Sequence, residues 1–136
     1  MKLIVDANIL ISAIICTSGK TRNLLFSEKL HLYAPDLLIE EIREHKAEIM
    51  RKSRLRRTEF DAFVELAVQN IFFVDFESFE FYISQAKEVC PDEDDTEYLA
   101  LALAVDCPLW TNDKRLRNQK IVKILSTKEI LEMNIL

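Results

Sequence analysis

The stretch KLIVDANIL, residues 2–10, decides how this chain is read. Leu3, Ile4 and Val5 form an unbroken apolar run, two of them β-branched, as expected of a short strand buried on both faces. Asp6 follows at the carboxyl end of that strand, and a helix is predicted from about Ile9 to Cys16. A fully buried strand running straight into a helix opens a parallel βαβ arrangement. In open sheets of that kind, ligands gather outside the carboxyl ends of the strands. Asp6 is therefore a candidate functional residue from its position alone.

The same alternation continues along the chain. A break at Thr17-Ser18-Gly19 precedes a second helix through Leu25 and Phe26, and HLYA (31–34) reads as the second strand. Pro35 is expected to open a long helix through LLIEEIREHKAEI, where its missing N–H costs nothing. Another helix follows from about Arg56 to Asn70, then the strand IFFVD (71–75) and a helix near Phe81–Val89. After the acidic turn Pro91-Asp92-Glu93-Asp94 come a helix over Thr96–Val105 and the strands PLWT (108–111) and IVKIL (121–125). Ser126 is placed to cap a last helix near Thr127–Met133. The expected fold is α/β: a three-layer α/β/α sandwich with a central parallel sheet of about five strands. With 136 residues, 49% of them hydrophobic, the chain supplies one core rather than two, so residues 1–136 are read as a single domain.

Composition excludes several classes. Cys16, Cys90 and Cys107 are odd in number and lack CxxC spacing, which argues against a disulfide framework and against a thiolate zinc site. A formal net charge of −5 argues against coating nucleic acid by bulk electrostatics, though not against gripping a short strand with a local basic patch. Asp6 and Asn8 interrupt the opening apolar run and no small-residue cleavage pattern follows. No apolar stretch reaches membrane-spanning length. The expectation is a soluble, cytoplasmic protein.

Four acids stand where the predicted elements turn: Asp6, Glu41, Asp95 and Asp113. Asp6 ends the first strand, Asp95 opens the helix that leads to the fourth, and Asp113 follows that strand. They converge on one crevice if strands one and four are neighbours. At about 100° per residue, Leu38, Ile42, His45 and Ile49 mark one helix face; Glu41 lies on its flank and Glu40 points away. Carboxylates brought together in this way repel one another unless a cation lies between them. A hard divalent ion is therefore expected, with Asp6 and Asp95 or Asp113 as its ligands, direct or through water, and metal-assisted phosphodiester hydrolysis is the first chemistry to consider. Glu41 is suited to orient or deprotonate the attacking water.

VDANIL (5–10), PDLLIEEI (35–42), DDTEYLALAL (94–103) and TND (111–113) occur in this order. With them the whole chain resembles the PIN-domain family, metal-dependent nucleases that include the toxins of VapBC-type toxin–antitoxin pairs. The resemblance implies Asp6, Glu41, Asp95 and Asp113 as the catalytic acids, with metal at Asp6, Asp95 and Asp113. It implies supporting roles for Asn8, Glu97, Thr111 and Asn112. Mg²⁺ or Mn²⁺ as cofactor, RNA as substrate and, for the toxin branch, a cognate antitoxin also follow from it. One departure is Val105-Asp106-Cys107-Pro108 before the fourth strand, where many relatives carry Gly-Ala; the acids are untouched by it.

The basic segment Lys46, Arg51, Lys52, Arg54, Arg56, Arg57 has two readings. Arg51, Lys52 and Arg54 hold a nucleic-acid backbone, or the segment is the solvated junction of two helices. Phe60, Phe63, Leu66, Phe72, Phe73 and Phe76 are read as core and interface, with a homodimer surface expected near residues 55–68. Two other classes compete. A phosphoreceiver would use Asp75 at the end of the third strand, but the paired acids expected after the first strand are missing. A non-catalytic RNA- or partner-binding module has no need of four converging carboxylates. An RNA-processing nuclease without an antitoxin shares every residue named.

Overall fold

The computed structural model describes residues 1–16 and 18–134; Thr17, part of the predicted break, lies outside the described residues, as do Ile135 and Leu136. The strands are β1 (Lys2–Val5), β2 (His31–Pro35), β3 (Ile71–Val74), β4 (Leu109–Trp110) and β5 (Ile124–Leu125). They form one parallel sheet in the order β3-β2-β1-β4-β5. The helices are α1 (Ala7–Ile15), α2 (Lys20–Leu25), α3 (Leu37–Glu44), α4 (Lys46–Ser53), α5 (Arg57–Gln69), α6 (Ile83–Val89), α7 (Thr96–Val105) and α8 (Thr127–Glu132). The predicted α/β sandwich and its five-stranded parallel sheet are what the chain forms.

Leu3, Ile4 and Val5 are fully buried, because β1 is central and covered on both faces. Its register against β4 pairs Ile4 with Leu109 and Val5 with Trp110, so Asp6 and Thr111 occupy the next positions at the same sheet edge. The chain order reverses between β1 and β4, which makes that edge the switch point. α7 is apolar almost all round and buries Tyr98, Leu99, Ala100, Leu101 and Ala102. Truncating Leu99 to Ala there removes contacts worth about 2–5 kcal/mol.

Strand PLWT shortens to Leu109–Trp110 and the helix near Phe81–Val89 starts at Ile83, and three further boundaries differ from expectation. Pro35 is the last residue of β2, in register with Val74, and the helix begins at Leu37. A strand end tolerates a missing N–H as well as a helix start does. The long helix is divided at His45 (φ −97°, ψ 6°), so α3 and α4 each lay a face on α1. Of IVKIL, only Ile124 and Leu125 are strand. The buried Gln119 takes Ile121 and Val122 into a turn: its Oε1 accepts from both N–H groups at 3.0 and 2.9 Å, and its Nε2 donates to the Leu116 and Val122 carbonyls at 2.9 and 2.7 Å.

Asp106 ends α7 in the left-handed conformation (φ 57°), making without glycine the turn that Gly commonly makes. Ser126 caps α8 with its hydroxyl accepting from Glu129 N–H at 3.2 Å, as predicted. Phe60 is buried and Phe63 and Phe73 half-buried, whereas Leu66, Phe72 and Phe76 are exposed. Among the described residues, no helix is long and apolar enough to cross a membrane.

Candidate active site

Asp6 leaves β1 in extended conformation and caps α1, its Oδ1 accepting from Ile9 N–H at 3.1 Å. Only 4% of its surface is exposed. Burial pushes its carboxyl up to about 6, partly offset by hydrogen bonds from the Thr111 hydroxyl and Ile9 N–H, while the charges of Asp95 and Asp113 push it further up. Asp95 stands at the head of α7 and is also raised to about 6, by burial first and then by Asp92 and Asp113, with Arg115 pulling the other way.

Glu41 projects from α3 toward α7, where the Tyr98 hydroxyl donates to its Oε1 at 2.9 Å. Burial raises Glu41 to about 7 against that hydrogen bond, and Asp6, Asp94 and Asp95 add repulsion. Glu41, Asp6, Asp95 and Asp113 thus come from four separate segments around the β1–β4 edge; the charges of Asp95 and Asp113 act on Asp6, and those of Asp6 and Asp95 on Glu41. Asp113 is the exception in ionisation. Arg115 binds both of its oxygens and holds its carboxyl below the usual range.

The acids converge without forming a closed cage. Among the described residues, no group of three or more His, Cys, Asp or Glu side chains is arranged to hold a metal ion. Asp113, for its part, is turned onto the Arg115 guanidinium at 2.8 Å. The donors themselves suit a hard divalent cation: they are all carboxylate oxygens, crowded and short of positive charge. Mg²⁺ keeps several waters and needs only one or two direct carboxylates, so an open set of this kind fits it.

The supporting residues separate. Thr111 is buried; its Oγ1 accepts from Asp113 N–H at 3.2 Å, linking Asp6 to Asp113. Asn112 turns away: its Oδ1 accepts from Thr127 N–H at 2.9 Å and its Nδ2 donates to Thr127 Oγ1 at 3.1 Å, tying β4 to the head of α8. Burial raises the pKa of Glu97, and the charges of Glu40 and Asp36 add to the rise. Asn8 is exposed and lines a cavity of about 200 Å³ with His45, Glu48 and Lys52. That cavity lies between α1 and α4, at whose basic end Lys52 also pairs with Glu48 at 2.8 Å and Arg51 and Arg54 are exposed.

Sequence reasoning missed Tyr98 and Arg115. Tyr98 carried a signal, being the one hydroxyl-bearing aromatic in an apolar helix, and a buried tyrosine hydroxyl needs a partner. Arg115 carried none, since its return onto Asp113 depends on the 3-10 turn Lys114–Asn118.

The model of the PIN domain family matches residues 4–133, nearly the whole chain. The chain is a PIN-domain protein. PIN domains are generally nucleases, so membership supports a hydrolase acting on nucleic acids. A solved structure with the same fold is VapBC2 from Rickettsia felis bound to a DNA fragment from its promoter. It shares 15% identity at a TM-score of 0.72, covering 93% of this chain and 98% of that one. No curated protein matches the sequence.

Proposed function

We propose that this PIN domain is a Mg²⁺- or Mn²⁺-dependent endoribonuclease, the toxin of a VapBC-type pair. One observation carries the reading: four carboxylates from separate segments meet at the switch point, and burial and mutual repulsion hold three of them at about 6 to 7. A buried group of acids that resists ionising is short of cations, and the divalent cofactor of a nucleic-acid hydrolase would supply them. The fold shared with VapBC2 favours the toxin assignment and an antitoxin partner. Exposed Leu66 and Phe72 support a homodimer.

Asp6, Asp95 and Asp113 would hold the cation, which supplies neutralisation of the scissile phosphate and acidifies a nearby water. Glu41 accepts the proton of the attacking water; a pKa of about 7 is matched to that task at neutral pH. Tyr98 fixes the direction of the Glu41 carboxylate. Thr111 holds Asp6 and the backbone of Asp113 in register. Arg51, Lys52 and Arg54 contact the strand beyond the crevice, alongside the cavity that Asn8 and Lys52 share.

The test is cleavage of end-labelled single-stranded RNAs by purified protein with Mn²⁺, with EDTA, and with the Asp6→Asn variant, beside DNA of the same sequence. Internal cleavage of RNA that needs Mn²⁺ and Asp6 is expected. Cleavage that survives EDTA, or that the variant retains, removes the proposed mechanism.

A further inference from the structure

Arg115 occupies an unusual place for a surface cation. Asp113 caps the turn Lys114–Asn118 by accepting Arg115 N–H at 3.0 Å, and the turn folds the Arg115 side chain back over the cap. Its Nε donates to Asp113 Oδ1 at 3.2 Å and its Nη2 to Oδ2 at 2.8 Å, a two-pronged grip on a single carboxylate. The same Nη2 stands 3.7 Å from Asp92 Oδ2. Its charge also acts on Asp95. One guanidinium therefore serves acids from the loop before α7, the head of α7 and the segment after β4. The side chain stays 59% exposed, so solvent and ligand reach it.

We infer that Arg115 is an internal counter-ion of the crevice, which holds Asp113 in the free protein, yields it to a divalent cation, and then offers its fork to a phosphate of the bound strand. The inference rests on the reading of this site as a metal-dependent nuclease and adds a residue to it. A carboxylate with both oxygens on a guanidinium has lost the lone pairs best placed for a cation, so metal and Arg115 compete for Asp113. An exposed ion pair is weak enough to be displaced. The planar fork that fits a carboxylate fits a phosphate equally well, which a lysine ammonium does not. Once a divalent cation neutralises the acids, the freed guanidinium lies at the mouth of the crevice, where a strand bearing the scissile phosphate arrives.

The experiment is a calorimetric titration of Mn²⁺ into RNA-free protein: wild type, Arg115→Gln, Asp113→Asn and the double variant, each checked for folding by circular dichroism. Arg115→Gln should bind Mn²⁺ roughly two- to fivefold tighter than wild type. That gain should vanish in the Asp113→Asn background, as a direct competition requires. In a second arm, a fluorescent oligoribonucleotide is bound with Mn²⁺ present to the Glu41→Gln protein, which keeps all three proposed cation ligands, with and without Arg115→Gln. Loss of Arg115 should weaken binding and flatten the logarithmic salt slope by about 0.7. Wild type that binds Mn²⁺ with Arg115→Gln no tighter overturns the inference and leaves the nuclease reading standing. A gain that persists without Asp113 overturns it in favour of a diffuse field effect. Unchanged RNA affinity and salt slope overturn the transfer to phosphate. Wild type that binds no Mn²⁺ sinks the metal-dependent reading and this inference together.

Discussion

Tyr98 donates its hydroxyl hydrogen to Glu41 at 2.9 Å, joining α7 to α3 across 57 positions of sequence. The bond opposes the burial that raises the Glu41 carboxyl. Tyr98→Phe removes the donor and leaves the ring in place. Glu41 should then titrate above its present value of about 7, moving the acid limb of the kcat/KM profile to higher pH by about half a unit to one unit. Denaturant melts should show a loss of about 1 kcal/mol. An unmoved pH profile would separate Glu41 from proton transfer.

Asp6→Asn keeps an oxygen able to cap α1, because asparagine is as good an N-cap as aspartate. It removes a buried negative charge whose pKa stands at about 6. The variant should fold with wild-type circular dichroism, melt higher than wild type at pH 7.5 in EDTA, and cleave no RNA in Mn²⁺. Lower thermal stability than wild type would mean that the Asp6 charge is neutralised in some way other than by a bound cation.

The raised acids also make the metal-free protein sensitive to pH. Asp6 and Asp95 at about 6 and Glu41 at about 7 bind protons more tightly in the folded chain than in the unfolded one. The folded form carries more protons between about pH 4 and pH 7, so stability is full below that window and falls as pH climbs through it. Melting in EDTA should therefore drop between pH 5 and pH 7.5, and saturating Mn²⁺ should restore it by mass action. A flat melting curve across that range, with EDTA present, would contradict these shifts.

Asn112 bonds Thr127 twice and makes no bond to the acids. Asn112→Ala should cost about 1–2 kcal/mol of stability by freeing the head of α8. With Mn²⁺ and RNA saturating at 20 °C, kcat should stay within about twofold of wild type. A kcat loss of the size seen for a catalytic acid would return Asn112 to the chemistry.

The two readings of the basic segment differ in their response to salt. Arg51→Ala with Arg54→Ala should weaken RNA binding and reduce the salt slope by about 1.4 if both side chains touch phosphates of a single strand. An unchanged slope would make them solvated helix ends.

Much of this architecture could be read from local pattern. LIV before Asp6 and the apolar run of α7 announce their elements, because burial on all sides leaves no other residue types suitable. The fourth-strand neighbour of β1 was a condition in the sequence and is a fact in the sheet order. What the sequence hid depends on partners remote in the chain or on a turn. The division at His45 follows from how α3 and α4 each meet α1. The shortness of β5 follows from the four hydrogen bonds of Gln119. At the site, the positions of the four acids were legible, since strand ends and helix heads follow from period. The direction of each side chain was not. Asp113 and Asn112 are adjacent, yet one meets Arg115 and the other Thr127.

The pairing of Ile4 with Leu109 and Val5 with Trp110 sets a timetable for the nascent polypeptide. Asp6 leaves the ribosome well before the strand that brings Thr111 and Asp113 beside it. Until that late segment docks, the acids are strangers in a loose coil with no common focus. A site that needs both segments is thereby incomplete until the later one has been made and docked.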